Sequence, residues 1–153
     1  MQNMKRVLFI DVQNATRSQI AEALFNYFAD GTAEARSCGT MPAPRVSRRA
    51  IEVMAELNID ISRKFPRAVS QLILARADVI VLIGKGIYPR AFAPTLTWDI
   101  EDATGKSLEQ VRELRNQLSR RVLTLLDEIN QPAASALAPQ LQPQMLNEFA
   151  WSI

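Results

Sequence analysis

Asp11, Arg17 and Ser18 fall within one short polar stretch, Asp11–Ser18, set between two apolar segments. Before it, Val7-Leu8-Phe9-Ile10 reads as a buried strand; after it, Ala21, Leu24, Phe25 and Phe28 recur at helical spacing. A loop between a strand end and a helix start gathers backbone N–H groups that lack a carbonyl partner, and the helix N-terminus adds partial positive charge. Such a loop is a cradle for an oxyanion. Arg17 stands where a guanidinium could clasp two oxygens of a phosphate-like ligand. The candidate anion-binding residues are therefore Gln13, Asn14, Ala15, Thr16, Arg17 and Ser18.

The rest of the chain supplies elements to hold that loop. Helix one is expected over about residues 18–29, stopping near Asp30-Gly31, with Ser18 a candidate first-turn cap. Ala33 to Ser37 reads as a second strand, followed by a loop marked by Gly39, Pro42 and Pro44. Ser47 is the expected N-cap of a helix through Leu57, with Ile51, Met54 and Ala55 inward. A short helix follows around Ser70–Ala75, then a β-branched strand over Asp78–Ile83 ended by Gly84 and Gly86. Thr95–Trp98 reads as a fourth strand, and Ser107 with Gln110 forms a capping box for a long helix to about Asn130. Strands alternating with helices imply a doubly wound α/β domain: three layers around a central parallel sheet of about four strands. In such a sheet ligands bind at the strand carboxyl ends, where Asp11–Ser18 falls.

At 153 residues the chain reads as one domain over 1–130 with a Pro-, Ala- and Gln-rich tail over 131–153 that ends in Met145, Leu146, Phe149, Trp151 and Ile153. That tail is expected to pack on its own domain; a docking peptide or a self-association contact is the alternative. The chain has no histidine, which excludes His-activated nucleophiles and His-based metal sites, and no acidic cluster suggests a cation site. No metal or other cofactor is expected. A single cysteine, Cys38, precludes an internal disulfide and fits a reducing, cytoplasmic setting, with the thiol a small buried residue. No apolar run approaches the roughly 20 residues of a membrane span. Net charge is only +2, but residues 1–97 carry 13 Lys and Arg against 8 Asp and Glu, with a basic group at Arg45, Arg48, Arg49, Arg63, Lys64 and Arg67. That group reads as solvated surface or as a rim drawing in an anionic ligand. Nothing in it interleaves aromatics or matches a nucleic-acid motif.

The loop resembles that of the low-molecular-weight protein tyrosine phosphatases and the thioredoxin-coupled arsenate reductases: Asn14, Arg17, Ser18, Gln19, Ala21 and Glu22 fit its pattern. Three further stretches match in the same order: Ser37-Cys38-Gly39-Thr40, Ile59-Asp60-Ile61-Ser62, and the acidic loop Trp98 to Gly105. The resemblance spans about residues 4–130 and implies that fold, with Asn14 in a left-handed conformation and Asp102 in the place of the general acid. It also implies that Asp11 stands where the catalytic Cys belongs, Gln13 where Gly is usual and Thr16 where a second Cys is frequent. The thiols that relay electrons in arsenate reduction are missing, since Cys38 is the only one.

Three readings of the loop follow. Asp11 and Arg17 pair with each other and fill the cradle with a carboxylate. Alternatively, the loop still takes a phosphate-like oxyanion or a phosphorylated protein. In the third, a phosphomonoester hydrolase remains, Asp11 attacking phosphorus and Asp102 protonating the leaving group. Beside Arg17, Asp11 is expected to be ionised with a lowered pKa.

Overall fold

In the computed structural model, residues 4–85 and 95–131 are described. Four strands, β1 (Lys5–Asp11), β2 (Ala33–Gly39), β3 (Val79–Ile83) and β4 (Thr95–Trp98), form one parallel sheet in the order β2-β1-β3-β4. The helices are α1 (Arg17–Ala29), α2 (Arg48–Ala55), α3 (Gln71–Arg76) and α4 (Leu108–Asn130). This is the doubly wound arrangement expected from the alternating pattern. The Gly86 end of the third strand and the tail beyond Gln131 lie outside the described residues.

β1 is apolar on both faces because both are covered. Val7 and Phe9 join Ile20, Leu24 and Phe25 of α1, Leu114, Leu118 and Val122 of α4, and Val53 and Met54 of α2 in one core. Leu8 and Ile10 face the other way, with Cys38, Ile80, Leu82 and Leu74 of α3. Phe9 stacks at 6.0 Å from Phe25 and 5.4 Å from Trp98, tying β1 to α1 and β4.

The helix ends follow the expected chemistry. The Ser47 hydroxyl accepts from Ala50 N–H, and the Ser107–Gln110 capping box is complete. Two positions expected inward are not. Phe28 is more than a third exposed and packs edge-on against Tyr27, and Ala55 is exposed while Ala50 and Val53 are fully buried. α2 also stops at Ala55, so the stripe it buries is shorter than the run to Leu57 suggested. Arg115 is buried and was not foreseen: its guanidinium donates to the Val53 carbonyl and to Glu56, locking α4 to the end of α2.

The sheet's β2 edge is partly covered, at Ala35 and at Gly39. The side chain of Asn26 both accepts from Ala35 N–H (2.8 Å) and donates to its carbonyl (3.1 Å). Further along, Gly39 pairs in parallel with the segment through Ala68. An edge satisfied in this way offers little template for another strand.

Candidate oxyanion site at the strand carboxyl ends

β1 ends at Asp11, whose side chain is buried beneath the turn Val12–Thr16 that leads into α1. The carbonyls of this turn all point away from its centre. Those of Asp11, Val12, Gln13 and Ala15 accept from the N–H groups of Thr40, Met41, Ala43 and Ser47, and that of Thr16 accepts from Ile20 within the helix. The Asn14 carbonyl is taken by the Gln19 side chain at 3.2 Å. A peptide whose carbonyl faces outward turns its N–H inward.

Two of those inward N–H groups meet Asp11. Asn14 N–H donates to Oδ1 at 2.7 Å, and Ser18 N–H donates to Oδ2 at 3.0 Å. The N–H groups of Gln13, Ala15, Thr16 and Arg17 find no acceptor among the described residues, and all four residues line a cavity of about 610 Å³. Thr16, the N-cap position of α1, makes no side-chain cap bond. The cap is the carboxylate of Asp11, reaching the Ser18 N–H in the first turn, so Ser18 is capped and is not the cap.

Asn14 adopts φ 52°, as the loop's shape required. Its amide nitrogen donates to Ser18 Oγ (2.7 Å) and Ser37 Oγ (2.9 Å), and its oxygen accepts from Arg67 N–H (2.9 Å). Ser37 Oγ–H donates a hydrogen bond to buried Glu22 (3.0 Å), which pairs with Lys64 at 2.9 Å. The turn is thus pinned from beneath by β2, α1 and the 64–67 segment. Gly39 belongs to the same fit: a Cβ there would lie 2.6 Å from the Val12 carbonyl oxygen and 2.9 Å from Asn14 N.

Arg17 departs from the expected pairing with Asp11. Its Nη1 donates to the Ile100 carbonyl at 2.8 Å, and its Nη2 lies 3.8 Å from Asp102 Oδ1. The guanidinium can lie there because Gly84, at φ 101°, has no side chain; a Cβ would sit 2.6 Å from Nη1. In the sequence Gly84 reads only as the end of a strand. A glycine directly after a buried strand at the carboxyl edge was the available signal for this close approach.

The pKa expected for Asp11 is also overturned. Burial pushes its carboxyl above the ordinary value of 3.8, against the opposing pull of Ser18, Asn14 and the Arg17 charge. The guanidinium turned toward Ile100 is too weakly engaged to reverse that. Cys38, fully buried, has its thiol pushed up to about 12 by burial and by the neighbouring Asp11 charge.

Asp102 reaches the same cavity from the loop after β4 and remains largely exposed; Arg49 and Lys85 line the cavity too. Of the basic group, Arg49 alone lines it, and Arg67 serves the turn through its backbone. The fold therefore gathers Asp11, Gln13, Ala15, Thr16, Arg17 and Asp102 around one opening, whereas Asn14 and Ser18, also expected to bind the anion, are fully buried beneath it and give their N–H groups to Asp11. Among the described residues, no group of acidic or Cys side chains is placed to hold a metal ion, and no helix is long and apolar enough to cross a membrane.

The chain is similar to known proteins in sequence and in fold. The model of the low-molecular-weight phosphotyrosine protein phosphatases matches residues 6–135. A putative arsenate reductase of Halobacterium salinarum is 36% identical over 134 residues, covering 80% of this chain and 91% of that protein. The glutaredoxin arsenate reductase of Synechocystis is 32% identical, covering 83% of this chain and all of its partner in the comparison. The solved structure of an arsenate reductase in the phosphate-binding state superposes with a TM-score of 0.76 at 31% identity, covering 83% of this chain and 100% of that one. The match over residues 6–135, with a relative 36% identical, makes this chain a member of the low-molecular-weight phosphotyrosine protein phosphatase family.

Proposed function

We propose that the chain is an oxyanion-binding member of its family, in which Asp11 stands at the nucleophile's position and conventional thiol catalysis is lost. One observation carries this reading. The two N–H groups beneath the turn are spent on Asp11, while those of Gln13, Ala15, Thr16 and Arg17 are left facing the cavity with no acceptor among the described residues. An inward set of backbone donors at a helix N-terminus, with an arginine beside it, suits a tetrahedral anion. An arsenate reductase 31% identical to this chain has a phosphate-binding state, which supports an oxyanion as the ligand here. A free phosphate and a phosphorylated side chain of a protein partner offer the same oxygens.

Turnover is disfavoured on several counts. Asp11 has both oxygens occupied and is almost fully buried, so it is poorly placed to attack phosphorus. Thiol chemistry has only Cys38, on the far face of the sheet and protonated at neutral pH. A phosphomonoester hydrolase using Asp11 and Asp102 is the second reading, favoured only by the approach of Asp102 to Arg17 at 3.8 Å. Phosphate titration followed by backbone-amide NMR, with Arg17→Ala as control, tests the binding reading. Saturable shifts confined to residues 11–18 and abolished in the control are expected. No shift at tens of millimolar phosphate would refute it. Aryl phosphate hydrolysis lost in Asp11→Asn would establish the second reading instead.

A further inference from the structure

On the face of the sheet opposite α1 and α4, strand alternation directs Arg6, Leu8, Glu34 and Arg36 toward α3. α3 has only six residues and cannot cover this face. A groove of about 410 Å³ is left between it and the β1–β2 pair, walled by Leu72 and Ile73. Leu72 is 63% exposed, an unusual position for a leucine beside a cavity. Arg6 pairs with Glu34 at 3.6 Å, but Arg36 and Arg76, which also line the groove, have no carboxylate partner among the described residues. An apolar wall beside two uncompensated guanidinium groups calls for an occupant that is apolar and acidic. Because the Asn26 side chain and the Arg67–Val69 segment already use outward groups of β2, the occupant must bind through side chains and not as an added strand.

The chain carries such a segment. Residues 132–153 contain Met145, Leu146, Phe149, Trp151 and Ile153, and their one charged side chain is Glu148. Their point of departure is favourable as well. α4 ends at Asn130, whose amide donates to Thr32 Oγ1 at 3.3 Å, and Thr32 directly precedes the strand that supplies Glu34 and Arg36 to the groove. The stretch from Gln131 to Met145 can span at most about 48 Å, well beyond the layer spacing of about 10 Å that separates the two faces of the sheet. A segment tethered so closely has an effective concentration in the millimolar range, which a second copy at micromolar concentration cannot match. We infer that residues 145–153 dock in the groove between α3 and the β1–β2 pair of the same chain, with the apolar side chains against Leu72 and Ile73 and Glu148 facing Arg36 and Arg76.

A nitroxide attached at Ser152→Cys in the full chain tests this, in a Cys38→Ser background. The amides of Arg36, Leu72 and Ile73 should lose more than half their intensity, and the loss should persist on tenfold dilution. Leu72→Glu, at a position open to solvent, should restore at least most of that intensity while core amide shifts stay in place. Glu148→Arg should weaken the effect and Arg36→Glu should recover it. Undiminished groove amides would overturn the inference. So would broadening that appears only when spin-labelled chains are mixed with separate isotope-labelled ones, since that outcome assigns the groove to a second copy.

Discussion

Replacing Asp11 by Asn removes one negative charge from directly beneath the proposed anion site while leaving the Gln13, Ala15, Thr16 and Arg17 N–H groups untouched. An anion resting on those donors would lie in van der Waals contact with the side chain at position 11. Charges about 4 Å apart repel by about 4 kcal/mol at an effective dielectric of about 20. Screening and adjustment of the turn reduce that, and the amide leaves either the Asn14 or the Ser18 N–H without its acceptor, a cost to folding of about 1–3 kcal/mol. The net expectation is an affinity gain of about 10- to 100-fold in Asp11→Asn, accompanied by a lower urea midpoint. Sulfate is the better probe because its charge does not change across the working range. Burial holds the Asp11 pKa above 3.8, so the folded state binds its proton more tightly than the unfolded chain. Acidification should then raise sulfate affinity in the wild type and narrow its gap to Asp11→Asn. By the same linkage, the stability arising from that raised pKa is full below 3.8 and lost as pH rises through the folded value. Amide-shift titrations of both proteins from pH 8 to 4 measure this directly. Equal sulfate affinity in folded wild type and Asp11→Asn at every pH would refute the placement of Asp11 beneath the site.

Other expectations follow from the same geometry. On the proposed reading, Asp11→Cys places a thiol where the Asn14 and Ser18 N–H groups and the α1 terminus lower its pKa below the ordinary value of about 8.5; alkylation against pH should show it, together with new hydrolysis of p-nitrophenyl phosphate, and a thiol titrating at or above 8.5 would count against the reading. Gly84→Ala must adopt φ 101° and crowd Arg17 Nη1 at 2.6 Å; a stability loss of about 1–3 kcal/mol in urea and weaker phosphate binding are expected. Glu56 is held down at about 2 by Arg112 and Arg115. Its contribution to stability is present above the ordinary 4.5 and fades as pH falls toward 2, so Glu56→Gln should flatten the acid limb of the stability profile measured by thermal melting.

The scaffold was legible because its signals are local. Ser47 and Ser107 cap the helices they precede, Thr95–Trp98 is a strand, and Asn14 has the left-handed conformation that the turn demands. The partners of the charged groups were not legible, because they are chosen at long range. Arg17 is drawn from Asp11 by a carbonyl 83 residues away and by the space that Gly84 leaves. Without that knowledge, proximity in sequence made Asp11 and Arg17 look like a pair and gave the wrong sign for the Asp11 pKa. Phe28 and Ala55 were misread for a related reason. Helical spacing identifies a stripe, but the neighbour that covers its last turn is fixed only by packing.

The identity of the residue at position 11 can be understood from the turn alone. Any side chain there faces two inward N–H groups, at 2.7 and 3.0 Å, which remain whether or not a ligand arrives. An apolar residue would orphan both, at about 1–3 kcal/mol each. Serine has a single oxygen and asparagine a single acceptor, so each would serve one donor well and the other poorly. A carboxylate on a short stem offers one oxygen to each and fits within the buried space. The cost is the desolvation of its charge, visible in the raised pKa. Asp11 therefore keeps the turn's shape without a thiol, and the four unused donors retain their aim because the carbonyls behind them are anchored elsewhere. On the proposed reading shape and turnover are separable in this turn: the first depends on an acceptor at position 11, the second on a nucleophile.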